Sequence, residues 1–520
     1  MKLNRREALR WGAVAGAGAA ATTLTGCSMI TRRLTHPQMP ASIELPKLDV
    51  APIARLLNRA AFGPVPGQAA EVASIGVEQW LDRQLNPSDE DAEIVALRLS
   101  SLEALQIHAA ELTDLPQHEV LRQLQQAAII NATYSRHQLR ERMVDLWSNH
   151  FNIYARKGLG SYFMPTDEWN VIRAHALDTF PNLMRASAHS PAMLMYLDNQ
   201  INRKKDPKGA GANENYAREL MELHTLGVHG GYTQKDVQEV ARCLTGWTVE
   251  DRFLHAKGRF RFDPERHDCG AKVVLGTRIP PCKDPAEKVT YKGVEMPAGQ
   301  VDGERVLDIL ATHPATAKFI SHKIARYFLG EGAESWEPKL ADIYLKTGGD
   351  IKAMLRPLLL SEELKSGPPI LKRPFDYTVS AMRALNADTD ANKPLQNQLT
   401  TMGQPLYQWP MPDGYPDKTT AWTGSLLARW NFASALLGGG VVGTSLDLKS
   451  LNVKDASGKA VNRTLVELIL AQPSKSDSVK PLLEKLDAHH DRITKSGDKK
   501  RSASAECAAL LLASPEFQWR

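Results

Sequence analysis

The chain has little cysteine and no long apolar run outside its first residues, and each shortage narrows what it can be. Five cysteines stand among 520 residues and no pair is spaced Cys-x-x-Cys, which argues against a zinc ribbon, a c-type haem attachment and a dithiol redox motif. Beyond residue 26 no stretch reaches about 18 unbroken apolar residues, the length a helix needs to cross a bilayer. There is no Gly-x-Ser-x-Gly elbow, no Gly-x-x-x-x-Gly-Lys-Ser/Thr loop and no His-Glu-x-x-His pair. The Gly438-Gly439-Gly440 run follows an expected helix without a phosphate-loop lysine and reads as a turn. A basic excess is also missing. The formal charge is +5, from 64 basic and 59 acidic residues; without residues 1–26 it is 60 against 58, or +2. No basic stripe interleaved with aromatic rings stands out, so nucleic acid is not an expected partner.

What is present is clearest at the start. Lys2, Arg5, Arg6 and Arg10 precede a weak Ala/Gly-rich apolar run that ends in Leu24-Thr25-Gly26-Cys27. A charged start, a short apolar stretch and small residues before a cleavage point make an export signal. The Arg5-Arg6 pair resembles the twin-arginine signal for folded cargo, and Leu24–Cys27 resembles a lipobox in which Cys27 is acylated. The expected organisation is a signal over residues 1–26, a lipidated Cys27 with a Pro-containing tether over 27–50, and one domain over 51–520. The expected location is the periplasmic side of the envelope, anchored to a membrane through Cys27. Ser28 does not resemble the aspartate that retains lipoproteins at the inner membrane, which favours the outer one.

From Ala51 the apolar period is mostly that of a helix, and no strand–helix alternation implies a parallel sheet. The expected fold is mainly α, a large multi-helical single domain with a small β-hairpin insertion. Arg259–Phe262 alternates as a strand does, and Lys272–Gly276 is its expected partner across the turn 263–271. Helices are expected over 67–85, 117–155 and 302–328, among others. Of the four cysteines past residue 27, Cys269 and Cys282 flank a Pro/Gly-rich loop and form the most natural local pair, although three pairings are open.

Three segments concentrate chemistry. Asn213 to Gly227 reads as a helix with Asn213 as its N-cap and Gly227 as a left-handed stop. Tyr216, Ala217, Leu220, Met221 and Leu223 share one face around His224. Glu214, Arg218 and Glu222 line the other at i, i+4, i+8, with Glu219 beside them. Either this is a solvated ion-pair ladder, or its carboxylates hold a metal or move protons while Arg218 orients them. His150, on the border of the stripe Met143, Val144, Trp147 and Phe151, is either a core residue or a ligand. His267-Asp268, beside Cys269 in the expected β-turn, is either turn chemistry or a reactive loop.

Together with Leu57–Gly63, Trp147–Phe151, Tyr232–Val237, Leu244–Trp247 and Gly414–Asp417, these stretches resemble a bacterial family of unknown activity known as domain of unknown function 1800. The resemblance runs from about Ala51 to the C-terminus. It implies that the three chemical segments belong to one family core. It also implies an exported protein and a sulfatase-like secreted partner, because members are commonly encoded beside one. Two readings follow. One is a metal-assisted hydrolase or oxidoreductase of the envelope. In it Glu222, Arg218, His267 and Asp268 carry the chemistry, and His150, Glu214, Glu219, Glu222 and His267 hold a divalent metal ion. The other is a lipoprotein without catalysis that scaffolds or escorts that partner. Carbohydrate binding through Trp247, Trp409, Trp422 and Trp430 is a weaker third.

Overall fold

The computed structural model describes residues 51–88, 93–107, 111–205, 211–250, 258–447, 458–498 and 502–520. The export signal, Cys27 and the tether to residue 50 lie outside the described residues. Helices make up most of the architecture, and the described sheets are small two-stranded pairs. No described helix is long and apolar enough to cross a membrane.

The helices are shorter than periodicity predicts, and the breaks have local causes. The expected 67–85 helix divides into Gln68–Ile75 and Val77–Leu85 at Gly76, whose φ of 89° is left-handed. The expected 117–155 helix becomes Gln117–Tyr134 and Gln138–His150. At this joint the Gln138 side-chain amide donates to the carbonyls of Ala132 at 2.9 Å and Ser135 at 2.8 Å, taking up groups the first helix leaves open. The expected 302–328 helix ends at Thr312 and restarts at Pro314, where a missing N–H costs nothing. His313 caps the new start by accepting the Ala315 N–H at 3.1 Å.

The β insertion is present with a different pairing. Phe260–Phe262 pairs antiparallel with Trp247–Val249, not with Lys272–Gly276, and Lys272–Val274 pairs with Thr277–Ile279. Leu275 and Gly276, at φ 48° and 76°, make the two-residue turn that joins the second pair. A third hairpin pairs Lys288–Tyr291 with Val294–Pro297. Cys269 and Cys282 form the disulfide across this region, while Cys243 and Cys507 are buried thiols.

Two large apolar cores organise the body. One gathers Leu57, Met143, Trp147, Phe180, Ile320 and Leu355; the other gathers Tyr377, Met382, Phe432, Val466 and Leu511. Charged side chains lie between them. Arg142 and Asp376 form an ion pair with almost no exposed side-chain surface. Arg373 reaches Asp376 at 3.2 Å through Nε and also pairs with Asp145, whose Oδ2 accepts the Tyr327 hydroxyl at 2.5 Å. Burial alone would raise the Asp376 carboxyl, but the Arg373 and Arg142 guanidiniums hold it well below the carboxylate range.

Candidate functional site

The sequence-predicted acidic helix spans Asn215–Glu222. Its N-cap is Glu214, one position later than expected, and Asn213 accepts the Asn215 N–H at 3.0 Å instead. Gly227 is the left-handed residue expected at the stop, with φ 80°. Glu214 pairs with Arg218 at 3.0 Å and takes the Gln234 amide at 2.6 Å, so this end of the face is a surface network. Glu222 accepts the Tyr232 hydroxyl at 3.0 Å. Glu219 is half-buried, and burial, then Glu222 and Asp413 nearby, raise its carboxyl.

The imidazoles do not join these acids. His150 donates through Nε2 to the His224 carbonyl at 3.1 Å, packed among Trp147, Phe151, Phe180 and Phe319. Burial pushes its pKa well below 6.5 and that of His224 down to about 3, and the Lys323 charge adds to both shifts. Both rings are therefore neutral. His267 is sealed by the β insertion, with Nδ1 2.8 Å from the Thr245 carbonyl and Nε2 3.3 Å from Asp302, which also pairs with Lys272 at 2.6 Å. Gly299 makes the approach possible, since a Cβ there would stand 2.7 Å from the His267 ring. Asp268 is bound by Arg242 at 2.9 and 3.1 Å; those hydrogen bonds outweigh burial and lower its pKa. His267 and Asp268 thus lock a loop and offer no free base. Glu222, His150 and His267 meet different partners. Among the described residues, no group of three or more His, Cys, Asp and Glu is arranged to hold a metal ion. The expected five-residue ligand set does not assemble.

Two cavities open along the charged layer instead. The smaller, about 60 Å³, is a chamber against the Gln138–His150 helix, where Glu141, Asp145, Ser148 and Asn149 recur on one face. Its walls draw on both cores, through Val144 on one side and Phe375 on the other. The larger, about 550 Å³, is a cleft beside it, and Asn149, Arg373 and Tyr415 line both. Asn149 fixes this shared wall. Its Nδ2 donates to the Tyr415 carbonyl at 3.0 Å and its Oδ1 accepts the Tyr415 N–H at 2.7 Å. Gly414, at φ 76°, is required there, because a Cβ would fall 2.2 Å from the Asn149 carbonyl oxygen.

Cationic and aromatic side chains both line the cleft. Lys323, Arg326 and Tyr327 enter from one face of the Pro314–Leu329 helix. Arg326 faces Asp417 and Glu331 at 3.5 Å each. Lys323 has no carboxylate within ion-pair distance among the described residues; burial lowers its pKa, and Asp417 and Asp413 offset only part of that. Trp409, Tyr415 and Trp422 form a continuous aromatic group with ring centroids 5.0 and 6.0 Å apart. Both indole N–H groups are occupied, by Asp413 and by the Pro416 carbonyl, which fixes the rings.

Residues 55–519 match the family described as Protein of unknown function (DUF1800). The chain belongs to that family. No curated protein and no solved structure matches it. In this DUF1800 chain three of the recognised stretches do converge, through packing and backbone hydrogen bonds. Trp147–Phe151 touches Asn213–Gly227 through His150 and the His224 carbonyl, and touches Gly414–Asp417 through Asn149. The His267–Lys272 stretch is a separate knot. Lys323, Arg326, Arg373, Glu168 and Tyr407 carry no local pattern that marks them in the sequence. The usable signal was Gly414-Tyr415-Pro416-Asp417, a Gly-Pro loop rich in groups that bind, flanked by Trp409 and Trp422.

Proposed function

We propose that the protein is an exported, lipid-anchored envelope protein that holds an acidic saccharide in the cleft over Lys323. The export and anchoring part is supported by Arg5-Arg6 and by Leu24–Cys27. The binding part is carried by one observation: a partly desolvated ammonium without an ion-pair partner in the lining of a 550 Å³ cleft. A cation drawn from water in this way gains most from an anionic group brought to it. Trp409, half-buried and backed by the buried rings of Tyr415 and Trp422, can lie against the apolar side of a ring, and a sugar acid combines such a ring with a carboxylate. The metal-assisted reading draws no support from the described donor groups.

The test is a tryptophan-fluorescence titration with trigalacturonate and a heparin tetrasaccharide, with neutral maltotriose as control. Acidic ligands should bind and maltotriose should not. Lys323→Met should weaken binding about 10- to 100-fold, the value of one hydrogen bond to a charged group, and Lys323→Arg should restore part of it. Added salt should weaken binding to the unaltered chain more than to Lys323→Met. Equal affinity for acidic and neutral sugars, or no binding of any of them, would refute the assignment.

A further inference from the structure

A second cleft, of about 770 Å³, is larger than the one over Lys323 and shares no lining residue with it. Three helices start at this second cleft. Gln117, Ser161 and Lys393 line it from the first turns of Gln117–Tyr134, Gly160–Asp167 and Lys393–Thr401. A helix start exposes unpaired N–H groups and the positive end of the helix dipole. Asn392 caps the third start, its Oδ1 accepting the Lys393 N–H at 2.7 Å. The other two carry no side-chain cap, because Pro116 and Leu159 stand at their N-cap positions.

The side chains add positive charge to these open starts. Glu119 is the one carboxylate among the described residues that line the cleft, and it is spent within the wall. Arg122 Nε donates to it at 2.8 Å and Gln123 at 2.7 Å, and these bonds, the Arg122 one foremost, lower its pKa to about 2. Arg156 and Lys393 also line the cleft, and neither has a carboxylate within ion-pair distance among the described residues. Gln408 Oε1 accepts the Arg156 Nε–H at 2.6 Å, which orients the guanidinium and leaves both Nη groups without a partner among the described residues. Ser161 is a separate sign of a ligand. It is 2% exposed, yet its hydroxyl has no hydrogen-bond partner among the described residues. The Gln117 side-chain amide donates to the Gly158 carbonyl at 3.0 Å, tying the open start of Gln117–Tyr134 to the loop that runs from Arg156 to Ser161.

We propose that this second cleft binds the phosphate or sulfate group of an ester, with Arg156, Ser161 and the open start of Gln117–Tyr134 as its donors. The site does not depend on the cleft over Lys323. Anions gather at helix starts because the free N–H groups and the dipole both favour them. The guanidinium fork of Arg156 suits two oxygens of one tetrahedral group. A phosphate or sulfate ester has three terminal oxygens to meet donors from separate segments, where a carboxylate has two. The volume exceeds that of the anion alone, so the group is carried on a larger body. No aromatic side chain is among the described residues that line the cleft, so that body is not held by ring stacking.

The test is isothermal titration of the purified full chain with glucose 6-phosphate and glucose 6-sulfate, with glucose and galacturonate as controls. One or both esters should bind saturably, the tighter one naming the anion, and added salt should weaken that binding. Glucose should not bind, and galacturonate should bind at least about tenfold more weakly than the tighter ester. Arg156 is exposed, so Arg156→Gln should fold, and it should weaken ester binding about tenfold or more, the value of one hydrogen bond to a charged group. Arg156→Lys should restore part of the loss. Ser161→Ala should weaken ester binding by less than Arg156→Gln does, because a neutral hydroxyl donates a weaker bond than a guanidinium. No binding of either ester up to about 10 mM overturns the proposal. So does binding that Arg156→Gln leaves intact and Lys323→Met abolishes, which would place the anion in the other cleft. Galacturonate bound as tightly as the esters overturns the choice of a tetrahedral group.

Discussion

Gly414→Ala gives the sharpest test of how the cleft is held, with Gly403→Ala as its control. Both glycines have left-handed backbones, at φ 76° and 93°, so each substitution bears a conformational cost of roughly 1–2 kcal/mol. A Cβ at Gly403 meets nothing within 4 Å, and the cost should end there. At Gly414 the Cβ falls 2.2 Å from the Asn149 carbonyl oxygen and 2.9 Å from its Oδ1, and a backbone atom in a helix cannot rotate away. Either the end of the Gln138–His150 helix or the 414–417 loop must move. Both Asn149–Tyr415 hydrogen bonds, at 3.0 and 2.7 Å, are then lost, at about 1 kcal/mol each. Gly414→Ala should therefore be about 2 kcal/mol less stable than Gly403→Ala in urea denaturation followed by tryptophan fluorescence. Its near-ultraviolet circular dichroism should also change, because Trp409 and Trp422 share the displaced loop. If the two variants lie within about 0.5 kcal/mol of each other, Asn149 does not hold the wall as argued.

Two further outcomes are expected. Burial raises the Asp167 carboxyl from 3.8 to about 7, against the opposing Ser190 hydrogen bond. The folded chain therefore keeps a proton that the unfolded chain releases between about pH 4 and 7, so stability falls as pH rises through that window, by up to about 4 kcal/mol. Asp167→Asn should flatten this slope, matching the unaltered chain at pH 4 and exceeding it at pH 8 in urea midpoint; an unchanged slope would refute the assignment. Replacing Cys269 and Cys282 together by serine removes a link across a sequence separation of 13, worth about 3 kcal/mol in chain entropy. Hydrogen exchange should then speed at Lys272–Ile279 before it does in the Gln138–His150 helix.

Much of the fold could be read from local pattern, and the failures share a cause. The helical body, the Gly227 stop and the Cys269–Cys282 pair each depend on neighbours a few residues apart. The β pairing depended on a longer register, and Trp247–Val249 competed successfully for Phe260–Phe262. The surroundings of the acidic helix are hard to read from the sequence for the same reason. Glu214, Arg218 and Glu222 are conspicuous together in sequence, yet they face Gln234 and Tyr232 near the surface. Arg142 and Asp376 stand 234 positions apart and give no local sign that they form a buried pair. Arg373-Pro374-Phe375-Asp376 looks like an ordinary helix start, and Asp376 does accept the Arg373 N–H at 3.2 Å. Its larger role is long-range.

That long-range layer bears on function as well as on assembly. A buried ion pair such as Arg142–Asp376 is weak evidence for stability, since well-packed apolar residues in its place are often neutral or better. Removing one partner, by contrast, strands the other charge and costs about 3–5 kcal/mol. A seam of this kind between two apolar cores is therefore poorly explained by stability alone. Its geometry supplies another reason. Arg373 is held from one side by Asp376 and from the other by Asp145, and the same guanidinium lines both the chamber and the cleft. Asp145 is held in turn by Tyr327, next to the cleft cations Lys323 and Arg326 on its helix. Each link fixes a side chain at the boundary between the chamber, which the buried acid Glu168 lines, and the open cationic cleft. The seam thus places a carboxyl without an ion-pair partner on one side of a shared wall and an ammonium without one on the other.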